Sequence, residues 1–442
     1  MSEPWKSTTI RQCLVESFAG EWGSDPKPGN AKVLRATDID DDGHVVGPGA
    51  VRQLPIGKLT SKRLLDGDIL LEGSGGGPGK PVGRVAYFKA NDHHEVAVCS
   101  NFFKTLRPKR SEVEPRFLLR KLAWFYKQPA LLTFQQQTTG IINLKFEEYL
   151  SAQIEIPEAI IEQEKLAQVL DTLDTTIHET EAIIGKLKAV KQGLLDDLLT
   201  RGVDANGELR LPYAEAPHLY KESPLGWIPK EWDVVTLESV SKLVTSGSRD
   251  WARFYADSGA LFVRIGNLTR EHINFRYEST IYVRPPRNAD GQRTRLESGD
   301  ILISITADLG IIGVVPDGLS EAYINQHIAL VRPDLNVVDS RFVGHYLAGP
   351  IAQTYLSKLN DGGAKAGLNL PTIRGLVTTK PHRAEQNMIA TRLDEIDNRI
   401  QNAMTESAKL QHLKDGLMDD LLTGRVRVTS LLSDALNHEG NA

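Results

Sequence analysis

Few residues in this chain have types that could do chemistry, and each group misses the spacing that its chemistry needs. Gly73-Ser74-Gly75-Gly76-Gly77-Pro78-Gly79-Lys80 is the natural place for a phosphate loop, where backbone amides cradle a phosphate beside a lysine. Such a loop requires glycine six residues before the lysine and serine or threonine after it, but Ser74 and Pro81 stand there. A tight turn close to a ligand backbone is the reading that remains. An adenine methyltransferase would carry Asn or Asp before Pro-Pro and an aromatic residue after it; Arg284-Pro285-Pro286-Arg287 has neither. A metal-dependent nuclease would set an acid ahead of an acid-x-Lys tripeptide, and Asp25-Pro26-Lys27 sits in a Pro/Gly-rich loop with no suitable strand before it. His93 and His94 are adjacent, so on a strand they would face opposite sides. No HExxH, paired CxxC or GxSxG occurs. The expectation is a protein with no catalytic residue, metal site or bound cofactor of its own.

The elements that would position any site come in two copies. Lys186-Leu-Lys-Ala-Val-Lys-Gln-Gly-Leu-Leu-Asp-Asp-Leu-Leu-Thr200 returns as Lys409-Leu-Gln-His-Leu-Lys-Asp-Gly-Leu-Met-Asp-Asp-Leu-Leu-Thr423, about half a chain later. Leading into the first copy, Leu166, Leu170, Leu173, Ile177, Ile184, Leu187, Leu194 and Leu198 follow the alternating steps of a heptad seam. The second seam is Ile389, Leu393, Ile396, Ile400, Leu410, Leu417 and Leu421. Thr180 and Lys191 interrupt the first, and Ala403, Ser407 and Lys414 weaken the second, so one break recurs with the same residue. Both helices begin at a Glu-Gln step, Glu162-Gln163 and Glu385-Gln386, just after Pro157 and Pro381. A helix over 158–200 would be about 60 Å long and cannot bury its stripe alone. Each is expected to pack on the other as an antiparallel pair with a globular domain at each end.

The segments before the helices share weaker landmarks. Gly67-Asp68-Ile69-Leu70-Leu71 matches Gly299-Asp300-Ile301-Leu302-Ile303, Arg35 to Ile39 matches Arg264 to Leu268, and Asn143-Leu144 matches Asn369-Leu370. Strands are expected at Val82 to Phe88, Ala260 to Ile265 and Ile311 to Val315, and helices at Arg116 to Tyr126 and Ser340 to Leu347. The fold class is therefore α+β: two mixed domains separated by two long helices, related by an internal pseudo-twofold repeat. The expected boundaries are a first recognition domain 1–157, helix 158–203, a proline-rich connector 204–229, a second domain 230–381, helix 382–424 and a tail 425–442. Between the landmarks the copies diverge freely, as a shared framework with two different surfaces would.

Composition fits a soluble multidomain protein, with 40% hydrophobic residues in 442. Only Cys13 and Cys99 are present, and no basic segment followed by an apolar run opens the chain, so the expected compartment is the cytoplasm, with no membrane contact. The net charge of −5 hides a division by segment: residues 1–157 carry 21 Lys and Arg against 18 Asp and Glu, whereas 158–204 carry 5 against 10.

Taken together, the repeated helix end Lys-x-Gly-Leu-(Leu/Met)-Asp-Asp-Leu-Leu-Thr, the Glu-Gln start, the Gly-Asp-Ile-Leu strands and Pro224-Leu-Gly-Trp-Ile-Pro-Lys-Glu-Trp232 resemble the specificity (S) subunit of type I restriction-modification systems. The resemblance covers nearly the whole chain and is strongest in the helices and residues 223–240; at the N-terminus Pro4-Trp5 stands for the longer Trp motif. It implies two target-recognition domains, each reading one half of an asymmetric bipartite site in double-stranded DNA. It also implies helices that act as spacer and docking site for methyltransferase (M) subunits, with restriction-translocase (R) subunits joining the assembly. S-adenosylmethionine, ATP and Mg would then sit on the partner subunits.

Under that resemblance, candidate DNA contacts in the first domain are Arg52, Lys58, Lys62, Arg63, Lys80 and Arg84, with Gln135, Gln136, Gln137 and Thr138, whose amides and hydroxyl suit base edges. In the second they are Arg249, Trp251 and Arg253, the polar loop of Arg284, Arg287, Asn288, Arg293 and Arg295, and Lys365 in the Asp361 to Gly367 turn. The charge balance of 205–381, 19 against 19, also suits a coiled-coil scaffold that joins protein partners without DNA specificity.

Overall fold

The computed structural model describes residues 5–26, 28–76, 80–90, 96–138, 140–247, 249–286, 289–360, 368–428 and 431. They form two compact units, Met1–Thr180 with Glu406–Ala442 (unit 1) and Glu181–Thr405 (unit 2). The long helices Ile160–Thr200 and Arg383–Leu422 are each continuous, and each contributes one part to each unit.

Unit 1 is built on a four-stranded antiparallel sheet, in the order Leu14–Ala19, Phe103–Pro108, Ile69–Glu72 and Val85–Tyr87. A second sheet joins Ala50–Arg52, Ala31–Leu34 and Ala97–Cys99, the last two in parallel. Trp5–Thr9 pairs with Gln153–Pro157 and so brings the start of the domain to the foot of the helix. Unit 2 repeats the order with Ser241–Ser246, Ile328–Pro333, Ile301–Ser304 and Ile312–Val314. Its second sheet again has a parallel pair, Ala260–Val263 with Ala322–Ile324, and Asp233–Thr236 pairs with Val377–Lys380 ahead of the second helix. The expected strands and helices lie at Val85–Tyr87, Ala260–Val263, Ile312–Val314, Pro115–Tyr126 and Ser340–Ala348. The proline-rich segment after the first helix is more ordered than a linker: Tyr220–Ser223 and Gly226–Pro229 form a hairpin, and Tyr213 stacks on Trp227 at 4.3 Å.

The Gly-Asp landmark has a physical cause in both units. Gly67 and Gly299 sit at φ +90° and +81°, backbone that a side chain resists, and the aspartates that follow are buried. Each buried carboxylate accepts from the backbone N–H three residues earlier, Leu65 or Glu297, and from an arginine on the neighbouring strand, Arg107 or Arg332, at 2.8 Å. Arg35 N–H bonds to Asp38 and Arg264 N–H to Asn267, so the second landmark is the same local turn.

The helix stripe is covered inside each unit. Leu166, Leu170 and Leu421 share the unit 1 core with Phe117 and Tyr149, while Leu198, Ile389 and Leu393 share the unit 2 core with Trp232 and Phe342. Leu173, Ile177, Ile396 and Ile400 are buried as well, whereas Ile184, Leu187, Leu194, Leu410 and Leu417 are half-buried. The recurring lysine break is no defect. Lys414 lies 2.8 Å from Asp174 in unit 1 and Lys191 lies 2.5 Å from Asp397 in unit 2, with both aspartates nearly out of solvent. Burial on its own would lower the Lys414 ammonium, yet bonds to Asp174 and Asp42 hold it above its ordinary value.

The Glu-Gln starts are docking devices. Gln163 accepts from the Glu114 N–H and donates to the Pro157 carbonyl, both at 2.8 Å; Gln386 accepts from Asp339 N–H at 2.7 Å and donates to Pro381 at 2.8 Å. Glu114 and Asp339 cap the Pro115–Tyr126 and Ser340–Ala348 helices, so one glutamine ties each long helix to the capping turn of its domain. The buried Glu162 is held by Arg427, and Glu385 by Arg210, the Val203 N–H and the Trp232 indole.

Replacing Lys191 by Met should loosen unit 2 by about 3 kcal/mol, because Asp397 stays buried without its cation; adding Asp397→Leu should recover most of the loss. Hydrogen exchange across 389–400 measures both steps, and equal protection in all three proteins would show that the pair is idle. A second expectation concerns pH. Lys121 is buried between Trp5 and Trp124 and donates to the Leu422 carbonyl at 2.6 Å, and burial pushes it down to about 8 from 10.5, only partly offset by Glu155. Between those values the unfolded chain holds a proton that the folded chain has released, so stability rises with pH across that window. Lys121→Met should remove up to about 1.4 kcal/mol per pH unit of that rise, read as the difference between two thermal unfolding series.

Candidate nucleic-acid interface

In each unit one edge of the main sheet ends in a crown of loops held by the same backbone bonds. In unit 1, Gly20 N–H bonds to the Phe103 carbonyl at 3.0 Å, Gly73 to Phe102 at 2.8 Å, and Leu144 to Gly73 at 2.9 Å. In unit 2, Gly247 bonds to Ile328 at 3.2 Å, Ile305 to His327 at 2.9 Å, and Leu368 to Ile305 at 3.1 Å. Gly20 and Gly247 are required by close approach: a Cβ there would lie 2.0 Å from the carbonyl oxygen of Ser100 or Asn325. The crown therefore gathers four segments that are far apart in sequence, among them the glycine-rich stretch of unit 1.

The candidates divide by where they sit. Lys80 is exposed, and it lines a cleft of about 620 Å³ in unit 1 with Arg84, Tyr126 and Lys127. Arg84 is committed internally, bonded to Glu72 at 3.0 Å, to Asp41 at 3.0 Å and to the Ala36 carbonyl. Gln135 is also committed: its side chain bonds both the N–H and the carbonyl of Val82, pinning the Gln135–Thr138 strand to the segment that follows Lys80. Gln136 and Gln137 are exposed on that strand. Arg52, Lys58, Lys62 and Arg63 lie on the second sheet and on or just after the helix Ile56–Lys62, where Lys58 and Lys62 reach the residues either side of Gly20. Arg52 pairs with Asp25 and stacks over Trp22, Lys58 faces Glu21 at 3.4 Å, Lys62 bonds the Ala19 carbonyl, and Arg63 is exposed.

In unit 2, Arg249 is exposed in the crown, and Arg293 reaches the same strand end through Thr245 at 2.6 Å. Arg253 and Arg284 are exposed on neighbouring segments of the second sheet, where the Arg284 N–H bonds to Phe254, and Arg295 is exposed beside its bridge to Tyr323. Trp251, expected to join Arg249 and Arg253 in a basic-aromatic cluster of DNA contacts, does not share their exposure. It is buried, stacked on Phe262 at 5.4 Å, because an indole next to a hydrophobic sheet loses more by facing water than by packing. Arg287, Asn288, Lys365, His93 and His94 lie outside the described residues, as do Gly77, Pro78 and Gly79.

Sequence reading passed over the turns that complete the crowns, Ser100-Asn101-Phe102 and Asn325-Gln326-His327. They are matched by bonding, with Phe103 N–H to Ser100 and Ile328 N–H to Asn325, but not by residue type. Asn101 and Phe102 are exposed; Gln326 and His327 are half-buried. A signal was available in the divergence itself, since these residues follow strands that do match. Among the described residues the two non-glycine positions in left-handed backbone, Asp250 at φ 65° and Ala307 at φ 58°, both belong to loops leaving this end of unit 2. Next to the helices, Arg341 and His345 of unit 2 meet Asp394, as Arg116 and Arg120 of unit 1 meet Asp171. Burial alone would raise the Asp394 carboxyl, but His345 and Arg341 hold it below its ordinary range.

Comparison with known proteins agrees with this organisation. The family pattern described as type I restriction modification DNA specificity domain matches twice, over residues 27–189 and 229–413. The type I restriction enzyme MjaVIII specificity subunit of Methanocaldococcus jannaschii is 24% identical over 386 residues, covering 85% of this chain and 83% of that protein. The EcoBI specificity subunit of Escherichia coli is 21% identical over 283 residues, 60% of this chain and 57% of that one. In fold, the S subunit of a type I restriction-modification system from M. genitalium superposes with a TM-score of 0.60 at 14% identity, covering 95% of this chain and 96% of that chain. A chain from a structure addressing complex assembly and conformational transition of the type I R-M system gives 0.51 at 16% identity, over 96% and 100%. Among the described residues no helix is long and apolar enough to cross a membrane. Specificity subunits of type I systems are non-catalytic DNA-recognition subunits, and this chain, matched in two blocks that each join a sheet domain to a long helix, belongs to that family.

Proposed function

We propose that this chain selects the DNA sequence on which a type I restriction-modification complex acts, with recognition domains at 1–157 and 230–381 each reading one half of an asymmetric, interrupted target. The observation that carries this reading is the pair of crowns: the same backbone bonds recur in both units while the side chains they present differ. Two diverged copies call for two different half-sites rather than a palindrome.

The two helices act as spacer and as docking site for methyltransferase subunits, paired antiparallel as a coiled coil within a pseudo-twofold repeat. Supporting this, the partner number falls as the helix number rises in each unit: Glu162 meets Arg427 and Asp174 meets Lys414, while Lys191 meets Asp397 and Val203 meets Glu385. Translocase subunits complete the assembly in the cytoplasm, and S-adenosylmethionine, ATP and Mg are held by the partners. A rigid spacer suits half-sites about one DNA turn, roughly 34–36 Å, apart.

Among the candidate contacts, the exposed cations Lys80, Arg249, Arg253, Arg284 and Arg295 and the exposed Gln136 and Gln137 are retained as DNA contacts, together with Arg63. Arg84, Gln135 and Trp251 support the surface from beneath. Replacing Arg249 or Arg284 by Ala in the co-purified methyltransferase complex should weaken DNA binding and lower the salt slope by about 1 for each phosphate no longer neutralised. Gel-shift titration at several salt concentrations measures this, and binding indifferent to sequence and salt would leave the scaffold reading in its place. Single-molecule methylation sequencing of a host expressing the chain with its methyltransferase should reveal an interrupted, two-part motif.

A further inference from the structure

The unit 2 crown holds one half-buried polar side chain, Gln326, by a single hydrogen bond to its neighbour. Gln326 Nε2 lies 3.0 Å from His327 Nε2, and His327 Nδ1 lies 2.7 Å from Thr306 Oγ1. An amide nitrogen has no lone pair to offer, so Gln326 must donate to the ring. His327 Nε2 then accepts, which leaves Nδ1 facing the Thr306 hydroxyl. The His327 backbone is fixed in turn, its N–H bonded to Asn325 Oδ1 at 3.1 Å and its carbonyl accepting from Ile305.

This relay uses one N–H of the Gln326 amide. The second N–H and the Oε1 acceptor have no partner among the described residues, so the side chain presents a donor and an acceptor side by side. We propose that Gln326, aimed by His327 and Thr306, reads an adenine in the half-site of unit 2, Oε1 accepting from N6 and Nε2 donating to N7 in the major groove. Gln326 is the contacting residue and His327 and Thr306 are positioning residues. Two further observations favour a reading role. The neighbouring Ala307 is held in left-handed backbone at φ 58°, a conformation that persists where surrounding structure enforces it. The matched turn of unit 1 carries Asn101 and Phe102, so the same place offers different chemistry in the two readers.

The inference rests on the recognition role proposed above, and one experiment separates the two. The chain and its methyltransferase partner are expressed in a host without other methylation, as wild type, Gln326→Ala and Gln326→Glu, and the methylated motif of each is sequenced. Wild type should yield a two-part motif with adenine at a defined position of one half. Gln326→Ala should relax that single position by about 10-fold while leaving the other half intact. Gln326→Glu keeps shape and volume but can only accept, and should shift that position from adenine toward cytosine, whose N4 donates. Unchanged motifs in both variants, or equal weakening of both halves, would overturn the assignment of Gln326. No two-part motif from wild type would instead overturn the recognition role itself.

Discussion

An apolar helix stripe that contains charged residues can be buried only where each charge meets its opposite. The two long helices, 41 and 40 residues, carry that constraint twice, as Asp174 facing Lys414 and Asp397 facing Lys191. A buried ion pair adds little net stability over packed hydrocarbon, yet a mismatched one is costly. Its effect is therefore on register: a slip of one helix turn would strand a carboxylate and an ammonium in each unit at once. Asp174 is held further by Arg120, so the unit 1 pair is tied to the recognition domain as well as to the opposite helix.

Register on the helices matters because the domains hang from them through fixed points. Gln163 and Gln386 join each helix start to the capping turn of a domain helix, and Glu162 and Glu385 gather arginines from segments that follow the other helix. Each of these is a charged or amide group inside a protein core, where removing a partner costs the desolvation of the group that remains. The domain is thus oriented by obligatory bonds rather than by general apolar packing, and the crown inherits that orientation.

At the crown the division of labour is between backbone and side chain. The amides of Gly20, Gly73, Gly247 and Ile305 bond to carbonyls across the loops, which needs no particular side chain beyond the two glycines that allow close approach. Side chains on the same loops are free to diverge without damaging the fold. Asn101 and Phe102 in one unit and Gln326 and His327 in the other are what such freedom produces. The supports, half-buried Arg84 on buried Glu72 and buried Trp251 on Phe262, are committed to these partners and cannot vary so freely.

Much of this was legible from residues alone. Period and repetition located both helices, the Gly-Asp landmarks marked both main sheets, and the recurring Lys191 and Lys414 marked a shared feature of the stripe, because local backbone geometry and apolar periodicity are written in consecutive residues. What the sequence could not show was the other end of any long-range bond. Lys414 looked like a flaw until Asp174 stood opposite it, Arg84 and Gln135 looked available until Glu72 and Val82 claimed them, and Trp251 looked like a contact residue until Phe262 lay against it. Whether a charge meets a ligand or supports the fold depends on partners tens to hundreds of residues away. Only tertiary packing decides which polar groups are already satisfied, because a hydrogen bond or ion pair is set by distance in space and not by distance along the chain.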